Sequence, residues 1–254
     1  MKRARKAPAV KHLRKKLKKA FLHHDALYPT FQPIVSIQTR EIFAYEVLTR
    51  SRQKPFKAGK LFRSSYQQGH TLSLDMACLK KAFSALPGLW DGKLLFVNIE
   101  PVTMARIFDK GGEGHSLMKQ IIPHREKIVF ELTEGMKSSD FGFVQKGVRA
   151  LKRYGCRFAL DDISGIGVKF FKLLTLKPSF LKLDASLIQD LIKNRWHRLL
   201  VRRLIKLAAF NRILLIAEGV EKKKEFELVK SLGIPYVQGF FFARPKRNLL
   251  RKLS

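Results

Sequence analysis

The chain has 254 residues, enough for one domain of barrel size, and 46% of them are apolar, which excludes a globally disordered chain. With 51 Lys and Arg against 20 Asp and Glu, the net charge is +31 and is spread from Lys2 to Lys252, a field that draws polyanions without naming one. Cys78 and Cys156 are too few for a disulfide framework or a cysteine-rich zinc site. No apolar run reaches the roughly 18 residues of a membrane span, so a cytoplasmic protein, or one peripheral at the inner face of the membrane, is expected.

Residues 1–24 read as a basic lead-in. Residues 1–20 hold ten Lys or Arg and no acid, while Val10, Leu13, Leu17 and Phe21 follow the spacing of a short amphipathic helix. Residues 1–20 are therefore expected to attract an anionic membrane surface or nucleic acid. His23 and His24 read as part of the exposed lead-in. From residue 25 to residue 254 one domain is predicted. Its strands are expected at Phe31–Ile37, Ile42–Leu48, Leu94–Ile99, Ile128–Leu132, Arg157–Asp161, Phe180–Leu183, Ile213–Ala217 and Tyr236–Phe242. Helical period appears at Leu72–Leu86, Phe141–Tyr154, Ser186–Phe210 and Lys222–Leu232. Gln38–Glu41 is too short a link for a crossover and predicts an antiparallel hairpin between the first two strands. The whole predicts an α/β fold, a (β/α)8 TIM-like barrel with one antiparallel strand near the N-terminus.

In such a barrel the chemistry sits at the carboxyl ends of the strands. Here those ends carry Glu46, Asn98, Glu131, Asp161, Asp162, Lys182, Glu218 and Gln238, with Glu134 and Glu221 just beyond. One acid after a strand caps a helix or closes a turn; several in one mouth repel and need a positive partner. An oxygen-rich set suits Mg2+ or Mn2+, and the adjacent Asp161-Asp162 pair suits two cations, one acid bridging. Lys182 adds a cation that either serves the site or forms a structural ion pair with Asp184.

The segments FQPIV, YEVLTR, FVNIEP, FELTE, ALDD, LKLD, IAEGVE and YVQGFFFARP, in this order from Tyr28 to Pro245, resemble the EAL domains of bacterial cyclic di-GMP phosphodiesterases. The resemblance implies two-metal hydrolysis of cyclic di-GMP to linear pGpG, a water between the metals attacking phosphorus. It implies one metal at Glu46, Asn98, Glu131 and Asp161, and a second at Asp161, Asp162 and Glu218. Lys182 would act on the water, so that Lys182, Glu46, Asp161 and Asp162 form the catalytic set. Arg50, Gln238 and Glu221 would contact the substrate or its water shell, and Glu134 would brace the loop after Asp162. A homodimer is a further partner the resemblance implies.

Two departures stand out. Val47 replaces the signature alanine, and the family's DDFGTGYSS becomes Asp161-Asp162-Ile163-Ser164-Gly165-Ile166-Gly167-Val168-Lys169. Ser164 or Ile166 would adopt the backbone angles of the family's glycines only with strain, which predicts another path for the loop. That leaves a second reading open, a catalytically silent cyclic di-GMP receptor or protein-interaction module.

Overall fold

A computed structural model describes residues 27–52, 65, 69–88, 92–107, 113–133 and 141–253. The basic lead-in with His23 and His24 lies outside the described residues, as does Glu134. Eight strands close a barrel in chain order: β1 (Leu27–Ser36), β2 (Ile42–Ser51), β3 (Leu94–Asn98), β4 (Ile128–Thr133), β5 (Arg157–Ile163), β6 (Phe180–Leu183), β7 (Leu214–Ala217) and β8 (Tyr236–Val237). Neighbours from β2 to β8 are parallel, and β1 runs antiparallel to both β2 and β8. The short Gln38–Glu41 link is what reverses that one strand.

Around the barrel stand α1 (Thr71–Phe83), α2 (Pro101–Arg106), α3 (Glu113–Ile121), α4 (Phe141–Arg153), α5 (Val168–Leu174), α6 (Ala185–Asp190), α7 (Arg195–Phe210) and α8 (Lys223–Ser231). The single helix expected over Ser186–Phe210 is two. Asn194 caps α7, its Oδ1 accepting the N–H groups of Trp196 at 2.9 Å and His197 at 3.4 Å. A side chain that competes for backbone donors starts a helix more readily than it continues one.

β8 is also shorter than the expected Tyr236–Phe242. At Gly239 the chain runs so close to Val220 that an added Cβ would lie 1.9 Å from the Val220 carbonyl oxygen, and the Phe242 N–H then turns back to the Gly239 carbonyl. Phe241 and Phe242 leave the sheet and pack on Phe226 of α8. The edge of β1 beyond short β8 is met by Lys246, which exchanges two backbone hydrogen bonds with Phe31.

Strand side chains alternate, and the barrel accordingly has two cores. Outward residues such as Val47, Val97, Phe130, Leu160 and Leu181 pack beneath the helices. Inward residues Ile34, Ala44, Phe96, Val129, Ala159, Phe180 and Ile216 plug the interior, with Tyr236 packed against them. The next inward position on each strand opens toward the mouth.

Candidate active site

Two residues beyond the apolar plug, those inward positions are Glu46, Asn98, Glu131, Asp161, Lys182, Glu218 and Gln238, and Gln32 on antiparallel β1. One polar layer thus sits on one apolar layer, and the strand period alone aligns it.

Lys182 is fully buried at its centre. Its Nζ lies 2.7 Å from Glu131 Oε1 and Glu218 Oε1, 3.2 Å from Asp161 Oδ1 and 3.4 Å from Glu46 Oε2. Burial opposes the charge on Lys182, but Asp161, Glu131, Glu218 and Glu46 outweigh it and hold the ammonium well above its usual range. Burial pushes Glu131 well up, with Glu46 and Asp161 adding to the rise against Lys182, and pushes Glu218 up to about 8. An ion pair between Lys182 and Asp184 is not formed: Asp184 caps α6 by accepting the Ser186 N–H at 2.8 Å.

Asn98 Nδ2 donates to Glu131 Oε2 at 3.2 Å and to Glu46 Oε1 at 3.4 Å, leaving its amide oxygen as the atom to offer a cation. Gln238 Nε2 donates to Glu46 Oε2 at 2.6 Å, so this residue orients a site carboxylate. Its own amide oxygen is buried with no hydrogen-bond partner.

Alternation would send Asp161 and Asp162 to opposite faces of β5. The register breaks here instead: Leu160 pairs Leu181, and the next pair is Ile163 with Leu183, one extra residue on β5. Asp162 takes up the extra residue with φ +58°, a left-handed conformation that aspartate tolerates better than most side chains. Both acids therefore face the mouth. Oxygens of Glu46, Glu131 and Asp161 lie within 4.8 Å of one another, as do those of Asp161, Asp162 and Glu218. Asp161 belongs to both groups.

The donor set fits two hard cations. Five carboxylates face one ammonium, an excess of four negative charges, which is the charge of two divalent ions. Burial raises Glu131 and Glu218, so cations bound here would displace protons from these two carboxyls.

Beside this centre a cleft of about 200 Å³ is lined by Arg50, Asp75, Asn98 and Glu100. Sequence reasoning missed Asp75, a buried acid on α1 that accepts the Glu100 N–H at 2.9 Å and is pushed up to about 7 by burial. An aspartate among apolar helical neighbours in SLDMACL was the available signal. Gln32 was missed as well, for it sits in FQPIV facing Glu46 across the β1–β2 ladder. Glu221 is brought near but not in: its side chain is exposed, and its N–H donates to Glu225 Oε2 at 2.8 Å.

The loop after the acid pair carries no backbone strain. Between β5 and α5, Ser164–Gly167 hold no positive φ, and a Cβ at Gly165 or Gly167 would meet nothing within 4 Å. From Asp161 to Gly167 the left-handed residue is Asp162, so the displaced glycines cost no special backbone angle. Val47 points into the outer core and walls the cleft, away from both acid groups.

Comparison with protein families matches residues 14–245 to the EAL domain. The chain belongs to the EAL domain family. The chain is 30% identical over 120 residues to the cyclic di-GMP phosphodiesterase PdeF of Escherichia coli (strain K12), covering 47% of this chain and 16% of PdeF. It is 26% identical over 230 residues to the blue light- and temperature-regulated antirepressor BluF of the same organism, covering 88% of this chain and 57% of BluF. It thus spans less than two thirds of either relative. Among solved EAL structures, a standalone versatile EAL protein from Vibrio cholerae O395 in its c-di-GMP-bound form superposes with a TM-score of 0.74 at 26% identity, over 90% of this chain and 95% of that one.

Proposed function

We propose that this EAL domain binds cyclic di-GMP across the barrel mouth and hydrolyses one phosphodiester to give linear pGpG, using two divalent cations, Mg2+ or Mn2+. The observation that carries the reading is the pair of acid groups sharing Asp161 over a single buried ammonium. Glu46, Asn98, Glu131 and Asp161 would hold one cation and Asp161, Asp162 and Glu218 the other. Bound there, the cations supply an activated water and neutralise charge developing on phosphorus and the leaving oxygen.

The chain's own residues do the rest. Lys182, kept protonated by its four carboxylates, donates to the attacking water or to a phosphate oxygen, and so orients more than it deprotonates. Gln238 fixes Glu46. Arg50 and Asp75 offer a donor fork and an acceptor in the neighbouring cleft, complementary to the O6/N7 and N–H edges of a guanine. The basic surface steers the anionic dinucleotide toward an acidic centre that the cations neutralise. The sequence of PdeF supports the hydrolytic reading.

A binding-only reading draws on the altered segment 163–169 and on the antirepressor BluF among the relatives. The test is a product assay. Purified protein with Mn2+ should convert cyclic di-GMP to pGpG, and Glu46→Ala should not. Wild-type protein that binds the dinucleotide and yields no product selects the binding-only reading.

A further inference from the structure

α7 has two faces, and the barrel uses only one. Val201, Leu204 and Ala208 are buried beneath it. On the outer side Trp196, Leu199 and Phe210 are 67%, 40% and 87% exposed. At 100° per residue these three project within about 60° of one another, with Trp196 and Phe210 about 21 Å apart along the axis. Arg203 falls inside the same arc, while Arg195, Arg202 and Lys206 flank it, all exposed, and the helix carries no acid. The Arg195 guanidinium sits 5.5 Å from the centre of the Trp196 ring. Single exposed apolar residues are ordinary, but a line of them among cations, with no acid to answer the charge, is the composition of a helix that lies in a lipid interface.

We propose that the outer face of α7 docks this barrel on an anionic lipid bilayer. Trp196, Leu199 and Phe210 enter between the headgroups, and the flanking arginines and Lys206 meet the lipid phosphates. A second copy of the chain fits less well, because a two-fold contact through α7 sets its cations against themselves. Duplex nucleic acid would answer the cations but offers no apolar layer to Phe210 and Leu199. Barrel helices run along the strands, so with α7 flat on the membrane the barrel lies on its side and its mouth stays open to solution. This docking is independent of the proposed hydrolysis and separate from any attraction of the basic lead-in.

Because the lead-in also draws anions, the test reads Trp196 itself. Of the two tryptophans, Trp90→Phe leaves Trp196 alone in the full chain. Vesicles of phosphatidylglycerol and phosphatidylcholine should shift its emission to the blue and shield it from an aqueous quencher, while phosphatidylcholine alone should do neither. In the wild-type background Leu199→Ser with Phe210→Ser should weaken sedimentation with the anionic vesicles about tenfold or more. Circular dichroism should stay unchanged and the thermal midpoint should fall by only a few degrees, since Phe210 is almost fully exposed and Leu199 partly so. Co-sedimentation with an unmoved Trp196 emission, or a double variant that binds like wild type, overturns the proposal. So does a Trp196 shift produced by duplex DNA, or by protein concentration alone, and not by vesicles.

Discussion

A fully buried lysine is tolerable in this barrel because four carboxylates meet it, and the same four are tolerable because of the lysine. Removing one side of such a cluster leaves uncompensated buried charge, typically costing 3–5 kcal/mol. Lys182→Met should therefore lower stability by about 3–5 kcal/mol in chelator near pH 8, read by urea unfolding, and Mn2+ should restore part of the loss. Asp75 gives a second test at this scale. Burial pushes it up to about 7, so the folded protein keeps a proton that the unfolded chain gives up near pH 4. Stability must fall as pH rises between those values. Asp75→Asn keeps an acceptor for the Glu100 N–H and removes the titration, so it should gain on wild type by up to roughly 4 kcal/mol between pH 4 and 8, measured by the urea midpoint. The strand-end acids were legible because polar residues closing apolar runs stand out. Asp75 was not, because burial of an acid on a helix depends on what packs over it.

At the scale of elements, strand positions followed from β-branched and aromatic runs, but three local breaks did not. The bulge at Asp161-Asp162 is invisible to a period of two, which assigns the acids opposite faces. The stop at Asp190 is hidden by apolar spacing that continues across the Asn194 cap, and the end of β8 is set by a close approach of Gly239 to Val220, a tertiary fact. The bulge separates backbone from ligand. Asp162→Gly keeps the left-handed conformation and should lose most of the rise in thermal midpoint that Mn2+ gives over chelator. Asp162→Val adds strain of about 1–2 kcal/mol and should melt lower in both conditions. Gly239→Ala should cost at least about 4 kcal/mol by urea unfolding, since its Cβ meets backbone that cannot swing aside.

Across the whole molecule, five of the twenty acids meet in the mouth of a chain whose net charge is +31, a gathering that the strand order creates from distant segments. The mouth couples cation loading to pH. In cation-free protein Glu218 holds its proton to about pH 8 and Glu131 also titrates high, so stability falls as pH rises from about 4.5 toward 8. Cations displace those protons, and the rise in thermal midpoint on adding Mn2+ should be larger near pH 8 than near pH 6. The most direct test of the centre itself is the anomalous difference map of a crystal grown with Mn2+. Two peaks are predicted, one among Glu46, Asn98, Glu131 and Asp161 and one among Asp161, Asp162 and Glu218. A map with no peak in the mouth, or with a single peak that leaves Asp162 and Glu218 without a cation, would contradict the account.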